Sequence, residues 1–204
     1  MFSLGEVFTL FFLTLGPIKL LGPFAQQTRG MDPGALRSTV IRVFLIALAA
    51  VVVGAYAGKA LALRWHISLP AVLITTGIIL FMVAIRIVMS AYESSAATPA
   101  PLPAAPMAAI MRLTFPLVVT PYGIAAAIAL LAATTDGGRE RAIYLLLVAV
   151  MVLNLLTMLF IRQIMRGPMV LILQILGSVL GVLQVGLAVQ IIILALRELH
   201  LISV

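Results

Sequence analysis

Cysteine is absent from this chain. That removes a disulfide framework, a thiolate nucleophile and any Cys-ligated metal. Acid is scarce as well, with six Asp and Glu in 204 residues. Glu6, Asp32, Glu93, Asp136, Glu140 and Glu198 all stand at the ends of apolar runs or between them. No carboxylate lies inside a run, which excludes an intramembrane aspartyl pair. His66 and His200 fall in loop and tail positions, so no histidine cluster can hold a metal. The patterns G-x-S-x-G, Walker A and H-E-x-x-H do not occur. The expectation is a protein that is no enzyme and carries no cofactor or metal; a nucleotide-driven pump would need a partner chain. Charge of any kind is low, at 9% of residues, against about a quarter in a soluble domain.

Apolar residues fill the space instead: 64% of the chain is hydrophobic and the mean hydropathy is +1.26. Water would not keep such a chain monomeric, so its solvent is the lipid bilayer. Apolar stretches cover 7–26, 43–63, 69–89, 113–133, 142–161 and 169–196. Each is long enough to cross a core of about 30 Å at about 1.5 Å per residue. A transmembrane β-barrel needs alternating segments of about 10 residues, and these runs do not alternate. The predicted class is an all-α membrane protein of six transmembrane helices, of inner-membrane type. The first run has no basic segment before it and no small-x-small cleavage site after it, so it is expected to remain a span. The net charge of +7 does not indicate nucleic acid, because the 13 basic residues are scattered over short loops and helix ends. That is the pattern of a chain held against anionic lipid.

An Ala/Pro/Ser stretch with Pro99, Pro101, Pro103 and Pro106 separates three runs from three. The expected organisation is a first three-helix unit over 1–92, a linker over 93–111 and a second unit over 112–204. Arg29, Arg37, Arg42, Arg86, Arg112, Arg162 and Arg166 fall on one side of the bilayer, and Lys59, Arg64, Arg139, Arg141 and Arg197 on the other. Seven against five favours both termini outside.

The halves resemble one another at an offset of 104 residues. Pro17 falls on Pro121, Gly77 on Gly181, Ala84 on Ala188 and Ile87 on Ile191, with Arg86 on Gln190. The loops from Asp32 to Arg37 and from Asp136 to Arg141 share D-x-G-x-x-R. A unit of three spans makes its second copy cross in the opposite sense, so the expectation is two inverted three-helix repeats. Solute sites of such proteins lie near the midplane where the repeats meet.

The first span holds Gly16, Pro17, Lys19, Gly22 and Pro23, and the fourth holds Pro116, Thr120, Pro121, Tyr122 and Gly123. Proline removes an N–H and clashes with the carbonyl four residues back. Backbone groups freed in hydrocarbon cost several kcal/mol each unless protein or water satisfies them. Both helices are therefore predicted to be broken near the midplane, and half-helix ends there would offer N–H and C=O groups to a solute. Lys19 lies near the centre of its run. A cation there costs about 3 kcal/mol or more, which calls for backbone carbonyls, the Tyr122 hydroxyl, water or a bound anion, unless the side chain snorkels to an interface. The candidate binding residues are Gly16, Pro17, Lys19, Thr120, Pro121, Tyr122 and Gly123. Arg86 is expected to snorkel. Asn154, Thr157, Gln174, Gln184 and Gln190 read as hydrogen-bonding contacts between helices.

These residues resemble those of the MarC family of bacterial integral membrane proteins, itself distantly similar to LysE-type exporters. Residues 16–24 resemble the family's Asn-Pro first-span motif ending Pro-x-Phe; Ile67-Ser68-Leu69-Pro70 with Gly77 and Arg86 resembles its third span. Phe115-Pro116-Leu117 followed by Thr120-Pro121-Tyr122-Gly123-Ile124 is similar to its Pro-Leu and Gly-Pro-Gly segment, and 181–190 to its sixth span. The resemblance implies six spans, an inner-membrane location and a transporter-like fold, and it says little of the solute. The chain departs from the pattern at Gly16 (family Asn), at Lys19 (family small or apolar), and at Thr120 and Tyr122 (family Gly). The leading expectation is a secondary transporter or exporter of a small anionic or zwitterionic solute. The alternative is a non-transporting membrane scaffold or regulator working through helix contacts. The expected partners are that solute and the lipid bilayer, with no nucleic acid, and a homo-oligomer stays open.

Overall fold

The structure, a computed structural model, describes residues 3–90, 106–165 and 169–201. The linker residues 93–105, Arg166 and the side chain of Gln174 lie outside the described residues. Every regular element among the described residues is helical.

α1 (Leu4–Leu15) opens on a reciprocal cap, in which the Ser3 hydroxyl accepts from the Glu6 N–H and the Glu6 carboxylate from the Ser3 N–H. It stops before Pro17, and α2 (Ile18–Gln27) starts after it. α3 (Pro33–Arg64) begins behind Asp32, whose carboxylate accepts from the Gly34 N–H. α4 (Leu69–Ser90) follows a short loop that holds His66 in the left-handed region at φ 54°. α5 (Pro106–Arg112) runs into Leu113–Val118, where Phe115 and Pro116 leave helical backbone and kink the chain, and the chain turns at Thr120 into α6 (Pro121–Ala132). α7 (Gly137–Leu159) begins behind Asp136, which accepts from the Arg139 N–H. The short α8 (Ile161–Ile164) and the long α9 (Met169–Glu198) complete the order. The D-x-G-x-x-R motif of the two loops is thus a shared helix N-cap.

Five helical stretches are long and apolar enough to cross a membrane: Leu4–Gln27, Pro33–Arg64, Leu69–Met89, Gly137–Leu159 and Ile175–Glu198. The pair Pro106–Val118 and Pro121–Ala132, bent by 55°, makes a sixth if it is one crossing. The helices outrun the apolar runs. α3 starts at Pro33 rather than 43, and α5 reaches back to Pro106, into the stretch read as linker. Hydropathy marks the part of a helix that can sit in hydrocarbon. Caps and prolines at the first position decide where the helix begins.

α3 and α7 pack antiparallel. Lys59 Nζ lies 2.8 Å from the Glu140 carboxylate at one end, and the Arg162 guanidinium donates to the Met31 carbonyl at the other. Asp32 and Asp136 therefore cap opposite ends of the bundle. α4 lies along α9, α1 against α7, and α3 against α6. On α3, Gly54 and Gly58 take Ile124 and Ile128 of α6 against bare backbone, so the small-residue spacing has a partner. Phe11, Phe24, Leu130 and Met151 are among the side chains enclosed at the centre. The outward faces are as apolar as the core, with Leu45, Val53 and Leu145 more than half exposed. In lipid such faces need no cover.

Candidate functional site

The residue before a proline avoids the α region, and Gly16 stands extended at φ −72°, ψ 173° before Pro17. A Cβ at Gly16 would run into the Phe12 carbonyl, so only glycine fits where the chain leaves α1. Thr120 holds the matching position before Pro121, extended at φ −101°, ψ 142°. A helix that ends inside a protein leaves its last carbonyls without partners, and one that starts there leaves its first N–H groups. The Thr14 and Leu15 carbonyls end α1, and the first amides of α6 face the same place.

The two ends satisfy each other. Lys19, one residue into α2, turns its Nζ back to donate to the Thr14 carbonyl. It also donates to Thr120 Oγ1 at 3.2 Å and to the Tyr122 hydroxyl at 3.4 Å. Its ammonium lies 4.8 Å from the centroid of the Tyr122 ring, in cation–π range. Thr120 Oγ1 donates to the Thr14 carbonyl at 3.1 Å and accepts the Gly123 N–H at 3.2 Å, which caps α6. Asn154 of α7 donates its amide to the Leu15 carbonyl at 2.6 Å. Gly123 allows this closeness, because a Cβ there would run into the Leu15 side chain. Thr14, Thr120 and Asn154 are all buried, while Lys19 is half-buried. No ion pair joins Lys19 to a carboxylate among the described residues. The positive charge rests on neutral oxygens and a ring face alone.

A cavity of about 420 Å³ lies beside this cluster. Its walls are the elbow between α1 and α2, with Phe12, Ile18 and Lys19, together with Ile87 of α4 and the Gly177, Ser178 and Gln184 stretch of α9. The sequence placed a polar cavity between the two breaks. This one takes no lining residue from the fourth span and opens on the other side of Lys19, toward α9. The reason is steric: Thr120 and Tyr122 fill the space between the breaks by bonding Lys19 directly.

All seven candidate residues sit at this junction. Lys19, Thr120 and Tyr122 touch; Gly16 and Pro17 form the elbow; Pro121 opens α6, and Gly123 supplies the capped amide. The Thr14 carbonyl carried no signal in the sequence, since any residue has one. Asn154 and Gln184 did carry one, as amides in long apolar helices, and both read as interhelical contacts. Asn154 makes such a contact, whereas Thr157 bonds the Leu153 carbonyl of its own helix. Asn154 Oδ1 and Gln184 Nε2 are buried without a hydrogen-bond partner. Arg86 is exposed near the end of α4. Among the described residues no group of His, Asp and Glu could hold a metal ion.

Lys19, Thr120 and Tyr122, three of the four positions at which the sequence resemblance breaks down, touch one another. No curated protein and no solved structure matches this chain. The family model for MarC family integral membrane proteins matches residues 1–200, and the chain belongs to that family.

Proposed function

We propose that this protein is a secondary transporter of a bacterial inner membrane, moving a small anionic or zwitterionic solute without chemistry on it. The observation that carries the reading is Lys19, held by neutral oxygens between the end of α1 and the start of α6 with no carboxylate partner among the described residues. A cation with no counter-ion is expensive in a bilayer, and ionisable residues inside spans mark solute paths by default. Broken helices at a shared level are the usual site architecture of secondary transporters.

The packing supports an inverted repeat. Gly77 of α4 takes Ile192 of α9 against it, and Gly181 of α9 takes Val88 of α4. At the offset of 104 residues these are one contact with the halves exchanged. The first span packs on α7 as the fourth packs on α3, and α4 with α9 maps onto itself. The absence of native cysteine makes a direct check simple. Arg37→Cys and Arg141→Cys, both in exposed first turns behind the caps, should react with an impermeant maleimide from opposite faces of oriented vesicles. Labelling of both from one face would end the inverted-repeat reading.

A scaffold reading draws on one observation: three protein oxygens take the three N–H bonds of Lys19, which suits a purely structural clasp. Flux separates the two. Purified protein in proteoliposomes should move at least one labelled small anion or amino acid down an imposed gradient, saturably. A screen of carboxylates and amino acids with no flux above empty vesicles would favour the scaffold.

A further inference from the structure

The cavity beside Lys19 has a second polar wall that the clasp does not use. Gln184 of α9 is only 4% exposed, lines the cavity, and leaves its Nε2 hydrogens without a partner. A buried amide without a partner bears its full desolvation cost, so an acceptor placed in the cavity would relieve it. Lys19 also lines the cavity, and its charge meets no carboxylate among the described residues. Its longest bond, 3.4 Å to the Tyr122 hydroxyl, is the one most readily exchanged for a stronger acceptor. The remaining wall is mostly apolar, with Phe12, Leu13, Ile18 and Leu180.

Size and polarity together specify the guest. A volume of about 420 Å³ falls in the range of small-molecule sites. We infer that this cavity binds a small aliphatic carboxylate, its head between Gln184 Nε2 and Lys19 Nζ and its tail along Phe12, Ile18 and Leu180. The inference rests on the solute site proposed at the first break and names the class of that solute. A zwitterion fits less well. Its ammonium would need a carboxylate or free carbonyls in the cavity wall; the Thr14 carbonyl already accepts from Lys19 and Thr120, and the unpartnered Asn154 Oδ1 lies outside that wall. Gly177 keeps the cavity open: a Cβ there would meet nothing within 4 Å.

Equilibrium binding of labelled hexanoate to the full chain in phosphatidylcholine nanodiscs, corrected for empty discs, tests this without any flux measurement. Wild type should bind saturably, and hexanamide and hexylamine should each compete at least tenfold more weakly than unlabelled hexanoate. Gln184→Leu should weaken binding at least tenfold. Gly177→Leu, which fills the cavity from open space on a helix face, should abolish it. Thermal unfolding of each variant in the same discs, within a few degrees of wild type, shows that the fold is kept. Absence of saturable hexanoate binding by wild type overturns the inference, as do two folded variants that bind like wild type. Leucine displacing hexanoate better than hexanoate itself overturns it in favour of a zwitterion. Hexanoate binding without flux in proteoliposomes would sink the transport reading and leave this site standing, and flux of other solutes without hexanoate binding would do the reverse.

Discussion

Lys19→Leu is expected to lower solute flux at least a hundredfold while leaving folded yield unchanged. The substitution removes the charge that a solute anion would meet at the break. A cation in the bilayer centre costs about 3 kcal/mol, and about 1.4 kcal/mol is a factor of ten in an equilibrium. A bound anion that relieves that cost is therefore worth roughly a hundredfold in occupancy. Folding should not suffer in step. Thr120 Oγ1 still donates to the Thr14 carbonyl, and Asn154 still holds the Leu15 carbonyl. Those bonds keep the end of α1 satisfied without the ammonium. Lys19→Arg should also be impaired, because a planar guanidinium cannot reach one carbonyl and two hydroxyls in the geometry of a compact ammonium. Initial rates in proteoliposomes, normalised to protein inserted, give the answer. Normal transport by both variants would reduce Lys19 to a clasp.

Gly16→Ala should be the most damaging single methyl group in the protein, costing at least 3 kcal/mol and most of the folded yield. Its Cβ would collide with the Phe12 carbonyl, which belongs to the backbone of α1 and cannot rotate away. Relief requires unwinding the last turn of α1. That would move the Thr14 and Leu15 carbonyls off Lys19, Thr120 and Asn154, and buried polar groups left unpaired cost about 1–3 kcal/mol each. Gly22→Ala is the matched comparison six residues on, within α2, where a Cβ meets nothing within 4 Å. There alanine should stabilise by about 0.5–1 kcal/mol, the ordinary helix preference over glycine. Thermal unfolding in detergent, wild type against both variants, measures the contrast. Equal melting temperatures for Gly16→Ala and wild type would show that α1 leaves the break by another path.

The class of the molecule and several of its helix ends were legible along the chain, because both follow from local rules. Long runs without charge have no solvent but lipid. Pro17 separates α1 from α2 and Pro121 opens α6, each where a missing N–H costs least, and Asp32 and Asp136 mark helix starts by capping them. Even the meeting of the breaks could be expected, from prolines that coincide when the chain is laid on itself. What surrounds Lys19 could not. Its first acceptor is a backbone carbonyl, which has no signature in a sequence, and Thr120 and Tyr122 reach it across 101 and 103 residues of chain. The cavity was expected between the breaks and lies instead toward α9, because its place depends on how far α9 is rotated about its own axis. For a soluble helix an apolar stripe reports that rotation. α9 is apolar nearly all round, since lipid and protein core accept the same side chains. Its packing against the neighbouring helices, with Gly77 on Ile192 and Gly181 on Ile87 and Val88, sets its rotation, and with it the position of Gln184 in the cavity wall.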